Sequence, residues 1–135
     1  MTIPPGIAGL EPRIHDFAAA WLRLGEPGVG EDLVADPILV LGPEGTSPVP
    51  RNAFLAAVAG RQARVSDATT APTTLVAMTA TPLGDRLVLA TMTWSFGSGA
   101  LAATLVSDFL LQREGNGSLR CVAYLPRTNV LDHVT

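Results

Sequence analysis

The sequence contains no lysine, a single cysteine (Cys121) and few aromatic residues. All nine basic residues are arginines, and twelve acidic residues bring the formal net charge to −3. Without a basic excess the chain cannot neutralise a run of phosphates, so we expect no nucleic-acid partner. A single cysteine excludes a disulfide within the chain and disfavours a secreted, disulfide-stabilised scaffold.

Long apolar runs are also missing, and none reaches the length of a membrane span. The first residues lack the basic and apolar regions of a secretory signal, which predicts a soluble, cytoplasmic protein that does not bind a membrane. Arginine in place of lysine, with abundant Ala, Gly and Pro, is typical of a bacterial genome rich in G and C. A length of 135 residues, 47% of them hydrophobic, predicts one globular domain over 1–135 with a core at about 10–127.

Hydrophobic residues spaced by three and four predict a helix over 11–24, with Phe17 and Trp21 on its apolar stripe. A short buried strand follows at 38–41. The Gly- and Pro-rich stretch 42–50 is interpreted as a loop. A second helix is predicted over 50–64, capped by Ser47, with Phe54 on its inner side.

From Thr73 onward the apolar period changes to two, which is typical of strands. The segments between successive Gly-rich turns are 73–82, 86–96, 100–113 and 119–125. Short turns favour antiparallel hairpins, so these strands predict a β-meander. Helices followed by strands indicate an α+β fold, with an antiparallel sheet packed against N-terminal helices.

Both faces of the strand at 100–113 carry apolar residues. Leu105, Phe109 and Leu111 lie on one face, and Asp108 lies on the other. Because the predicted helices can cover only one face, we expect a second copy to cover the other. The sequence therefore predicts a homodimer through Leu105, Phe109 and Leu111.

Asp108 is a lone carboxylate within this apolar strand, where burial without a partner is costly. It is either a general acid or base in a pocket, or a structural group that accepts hydrogen bonds from a Thr, a Tyr or the backbone. If Phe96 lies opposite residue 100, Met92 and Trp94 share the helix side with Asp108. A register slip of one residue moves Met92 and Trp94 to the dimer face.

Metal and cofactor sites are not expected. His15 and His133 have no partner at ligand spacing, and there is one cysteine. The glycines of 25–30 do not form a phosphate-binding loop, because no strand and no Lys-Ser or Lys-Thr pair accompanies them.

Three segments together resemble a known family: His15–Gly25, Leu33–Gly42, and Val106–Gly117 followed by Arg120–Leu125. Their order is similar to that of the nuclear-transport-factor-2-like superfamily, in its SnoaL-like and ketosteroid-isomerase-like branch. The resemblance implies a cystatin-like cone, in which a curved sheet wraps against helices around an apolar pocket. It also implies a dimer through the sheet.

In the ketosteroid-isomerase members, a base carboxylate, a tyrosine and a second carboxylic acid carry the chemistry. By position these fall on Leu41, Phe17 and Asp108. Leu41 cannot accept a proton and Phe17 has no hydroxyl, so catalysis of that type is not expected. Asp36 falls on the family's acidic turn and is expected on the surface.

Three hypotheses for function follow. The chain binds a small hydrophobic molecule in the cone, or it is a non-catalytic dimeric module with a filled pocket, or it is an isomerase, cyclase or dehydratase that uses Asp108 as acid or base. The residues predicted to line the pocket are Phe17, Trp21, Leu41, Phe54, Met92, Trp94, Asp108 and Tyr124.

Overall fold

A computed structural model describes residues 11–127 except 25, 43–44, 69–72, 97–102 and 116, and these described residues form three helices and six strands. The elements are, in chain order, α1 (Glu11–Trp21), α2 (Gly30–Leu33), β1 (Val34–Gly42), β2 (Gly45–Val49), α3 (Arg51–Ala68), β3 (Thr74–Pro82), β4 (Leu87–Phe96), β5 (Ala103–Arg113) and β6 (Leu119–Pro126). The predicted turn at 97–99, the first residues of the predicted strand 100–113, and His133 lie outside the described residues.

The strands form one curved sheet in the order β2-β1-β6-β5-β4-β3. The meander from β3 to β6 is antiparallel, which confirms the predicted hairpins and the α+β class. β1 pairs with β6 in parallel, so the whole sheet is mixed. β2 was predicted as loop, because its Gly- and Pro-rich sequence obscures a strand that pairs antiparallel with β1.

The register between β4 and β5 decides between the two alternatives for Met92 and Trp94. Phe96 lies opposite Ala103 rather than opposite residue 100, and Thr91 lies opposite Asp108. Since side chains alternate between faces, a shift by an odd number of residues reverses which side chains share a face. Trp94 therefore lies opposite Leu105, on the face opposite to that of Asp108.

The face of the sheet that meets the helices, here called the inner face, carries Leu105, Phe109 and Leu111. All three are buried within the chain's own core, with Phe109 and Leu111 fully inaccessible. These three side chains are therefore not free to form the predicted dimer surface, and the homodimer itself stays a prediction. Asp108, Leu110 and the other residues of the opposite parity lie on the outer face.

Two local contacts position the helices. The carboxylate of Asp36 in β1 accepts a hydrogen bond of 3.0 Å from the backbone N–H of Arg51, at the first residue of α3. Asp36 is exposed as expected, but it takes the capping role predicted for Ser47, which lies in β2. Gly30 allows α2 to approach α3, since a Cβ at that position would overlap the side chain of Leu55.

None of the helices in the described part of the chain has the length and apolar character that crossing a membrane requires.

Candidate functional site

Five aromatic rings meet between the helices and the inner face of the sheet. They come from two helices and two strands: Phe17 and Trp21 of α1, Phe54 of α3, Phe109 of β5 and Tyr124 of β6. The Trp21 ring is central, with its centroid 4.7 Å from that of Phe109 and 5.1 Å from that of Tyr124. Tilted and edge-on pairs at such distances are each worth about 0.5–1.5 kcal/mol beyond area burial. We call this group the aromatic cluster.

The cluster is continuous with the apolar core that α1 and the sheet enclose. Met92 and Trp94 of β4 belong to that core, with 0% and 4% exposure. Six residues of the predicted pocket therefore lie together: Phe17, Trp21, Phe54, Met92, Trp94 and Tyr124.

Leu41 and Asp108, the other two predicted lining residues, lie elsewhere. On β1, Val40 packs against the core and lies beside Tyr124 of β6. Leu41 is the next residue along the strand and so points to the outer face. Asp108 also points to the outer face, because its neighbour Phe109 points inward and side chains alternate along a strand.

The rings of Trp21, Phe54 and Tyr124 contact one another and are buried except for a small accessible area, and we call these three rings the edge of the cluster. Trp21, Phe54 and Tyr124 retain 5–6% exposure, whereas Phe109 retains none. Val40 and Leu55 pack against the core as partly buried apolar side chains, and Val40 lies beside Tyr124 in the parallel pair of β1 and β6. The polar groups of this largely apolar cluster are the Tyr124 hydroxyl and the Trp21 indole N–H.

Asp108 is buried on the outer face, where three donors engage its carboxylate. The Thr91 hydroxyl donates to Oδ1 at 2.6 Å across the strand pair. Arg127 donates twice, from Nε to Oδ2 at 2.6 Å and from Nη2 to Oδ1 at 3.0 Å. Such a bidentate pair fixes the orientation of both groups. The structural hypothesis for Asp108, with a Thr as donor, matches this arrangement.

The Arg127 side chain is 54% exposed, whereas that of Asp108 is 9% exposed. The hydrogen bond to Asp108, followed by the attraction of its charge, raises the pKa of Arg127. The backbone N–H of Arg127 also donates to Val106 O at 3.0 Å. The ion pair therefore ties the end of β6 to β5, and water reaches the guanidinium while the carboxylate is covered.

A polar cleft of about 580 Å³ opens at the far end of the β5–β6 hairpin. It is lined by Asp32, Glu114, Gly115, Ser118 and Arg120. Arg120 Nε lies 3.0 Å from Glu114 Oε1 as an ion pair, without the alignment of a hydrogen bond. Within the described residues, no three His, Cys, Asp or Glu side chains come together to hold a metal ion.

Sequence reasoning missed Phe109 as a cluster member and Arg127 as the partner of Asp108. The alternation in β5 separated Phe109 from Asp108 correctly, but nothing in it indicates which parity faces the helices. The Arg127–Asp108 pair spans 19 residues, a separation at which no local sequence pattern predicts an ion pair.

Comparisons with solved structures agree on one fold. The chain is similar to a nuclear transport factor 2 (NTF2-like) superfamily protein of Salmonella enterica (TM-score 0.65, 14% identity), with 90% of this chain and 94% of that chain covered. It is similar to Aln2 of a Streptomyces species (TM-score 0.64, 19% identity), with coverages of 93% and 92%. An NTF-2 like protein of unknown function from Shewanella oneidensis matches with a TM-score of 0.62 and 8% identity, over 85% and 96% of the two chains. No protein-family model and no curated protein sequence matches this chain.

Proposed function

The chain has the fold of the nuclear-transport-factor-2-like superfamily, and from that premise we propose that it binds a small apolar molecule against the aromatic cluster. Acid–base catalysis by Asp108 is not part of this proposal. The observation that carries the proposal is the edge formed by Trp21, Phe54 and Tyr124, where ring surfaces and one hydroxyl meet. Ligand sites are commonly apolar and aromatic, with few polar groups that fix orientation.

The chemistry of the cluster limits the ligand class. Asp108 is the one buried charged residue among those described, and it lies on the outer face, so an ionised ligand at the cluster would lose its hydration without compensation. A planar ring system can pack edge-on or offset against Trp21 and Phe54. A carbonyl or ether oxygen on that ligand can accept a hydrogen bond from Tyr124. We therefore propose an uncharged aromatic compound that carries one acceptor.

The position of Asp108 argues against the acid–base alternative. Its side chain lies on the outer face, while the rings lie on the inner face. A general acid or base must come within hydrogen-bond reach of the reacting proton. A ligand held against Trp21 would be separated from Asp108 by the sheet itself.

A pair of matched probes tests the proposal. Acetylnaphthalene carries the aromatic surface and a carbonyl acceptor, whereas ethylnaphthalene carries the same surface without the acceptor. We expect both to raise the thermal midpoint of the protein, since a ligand that binds only the folded state stabilises it. The ketone should bind about three- to tenfold more tightly, the worth of one neutral hydrogen bond.

The Tyr124→Phe variant is the matched control. It keeps the ring and removes the hydroxyl, so the preference for the ketone should disappear while ethylnaphthalene binds as before. If neither probe shifts the midpoint of the wild-type chain at its solubility limit, the proposal fails and the hypothesis of a filled, non-catalytic cone replaces it. If the variant keeps the ketone preference, Tyr124 is not the orienting group.

A further inference from the structure

The two edges of the sheet differ in how well they are protected. β2, at one edge, has five residues and contains Pro48, which cannot donate to a neighbouring strand. β3, at the other edge, has nine residues, and its single proline is the last residue, Pro82. An edge strand presents unpaired N–H and C=O groups that can pair with another chain.

β3 also lacks the charges with which edge strands usually oppose pairing. Its sequence, TLVAMTATP, contains no acidic or basic residue. Val76 is 62% exposed, the largest exposure among the large hydrophobic residues of the described chain. A bulge between Leu75 and Ala77 disrupts the start of the strand, and regular pairing with β4 resumes from Ala77. The open, regular part of the edge is therefore 77–81.

We propose that β3 of a second copy pairs antiparallel with this edge, around a two-fold axis at Thr79. In this register Thr79 lies opposite its own equivalent, Met78 lies opposite Ala80, and Ala77 lies opposite Thr81. Thr–Thr pairs across strands are favourable, and a large residue faces a small one on the inner side. The proposal does not depend on ligand binding by the aromatic cluster.

The absence of charge favours a second copy over a different partner. Antiparallel self-pairing places residues of one strand against residues of the same strand, so any charge near the axis would oppose a like charge. β3 carries none. A charged peptide would gain no complementary side chain here. Because the contact involves one strand from each copy, it is small, and the dimer should dissociate on dilution.

Cysteine pairs test the register directly. In the Thr79→Cys variant the two introduced thiols lie opposite each other, at a Cα separation within the range that a disulfide spans. In the matched Thr81→Cys variant the thiols are four residues out of register, about 13 Å apart. Both positions are exposed threonines on the same face of the same strand. Under mild oxidation at high protein concentration, we expect a covalent dimer from Thr79→Cys and little from Thr81→Cys.

Two lysine variants distinguish a dimer formed through the β3 edge from one formed through the outer face of the sheet. In light scattering over a concentration series, we expect Thr79→Lys to raise the protein concentration at which the dimer dissociates by at least tenfold. Thr93→Lys, which adds the same charge on the outer face of β4, should leave it unchanged. The proposal is overturned if the wild-type chain remains a monomer at every concentration, if only Thr93→Lys disrupts the dimer, or if both cysteine variants cross-link equally.

Discussion

Asp108 and Arg127 form a bidentate ion pair on the outer face of the sheet, with donor–acceptor distances of 2.6 and 3.0 Å. The carboxylate is covered, and the guanidinium is half exposed. Arg127 lies just after the end of β6. The pair therefore compensates a carboxylate that an apolar strand would otherwise bury alone, and it fastens the last strand of the sheet.

Replacement of Asp108 by asparagine should destabilise the fold. The oxygen of the asparagine amide can still accept a hydrogen bond from the Thr91 hydroxyl. The amide NH2 group, however, then faces the N–H donors of Arg127. We expect the free energy of unfolding to fall by about 1–3 kcal/mol, the cost of leaving a buried polar group badly paired. Urea denaturation of wild type and Asp108→Asn measures this. An unchanged midpoint would show that the ion pair contributes nothing to stability.

The inner face is tested by neighbouring residues of β5. Phe109→Ala removes a fully buried ring from the aromatic cluster and should cost about 3–5 kcal/mol. Leu110→Ala, one residue along and on the outer face, removes a partly exposed side chain and should cost clearly less. Both values come from chemical denaturation. The opposite order would place Leu110, and with it Asp108, against the helices.

Removing the hydrogen bond between Asp36 of β1 and Arg51 of α3 should lower the stability of the fold moderately. Asp36→Ala removes the carboxylate that accepts from Arg51 N–H and should lower stability by about 0.5–2 kcal/mol, as loss of a helix cap does. Asp85→Ala is the control, because Arg113 contacts the backbone oxygen of Asp85 rather than its side chain. If the two variants unfold at the same denaturant concentration, Asp36 does not cap α3.

Cys121 should be unreactive in the folded chain. The thiol is buried and donates to Ala123 O at 3.2 Å. Burial raises the pKa of the Cys121 thiol well above its usual range. We expect a thiol reagent at pH 8 to label it only after unfolding. Rapid labelling of the native protein would contradict the buried position of β6.

The raised pKa of the Cys121 thiol also predicts how the stability of the fold depends on pH. Above the ordinary thiol pKa of about 8.5, the unfolded chain loses a proton that the folded chain keeps. Below that pH the buried thiol makes its full contribution to stability. Above it, the free energy of unfolding falls by about 1.4 kcal/mol for each further pH unit. The Cys121→Ala variant should therefore show a shallower fall in stability between pH 8 and 10 than the wild type. Parallel curves would show that the thiol ionises equally in both states.

Sequence periodicity predicted the class of the fold because it reflects burial. The helical stripe of Phe17 and Trp21 and the alternation from Thr73 onward both correspond to observed elements. The predicted hairpins from β3 to β6 are confirmed, because short Gly-rich turns restrict the chain to antiparallel pairing.

The faces of the sheet could not be predicted from the same pattern. In β5 both parities are apolar, so the pattern does not indicate whether Phe109 or Asp108 is the inner residue. Which face Trp94 shares depends in addition on the register between β4 and β5. The observed register places Phe96 opposite Ala103. The pairing of β1 with β6 is likewise a long-range contact, which no local signal encodes.

The most direct test of the account is the affinity of acetylnaphthalene for the Asp108→Asn variant, measured by calorimetric titration beside the wild type at a temperature where both are folded. If the ligand binds against Trp21 and Tyr124, on the inner face, the two dissociation constants should agree within about twofold. A tenfold or greater loss of affinity in a folded Asp108→Asn variant would place the carboxylate in the binding site and contradict the account.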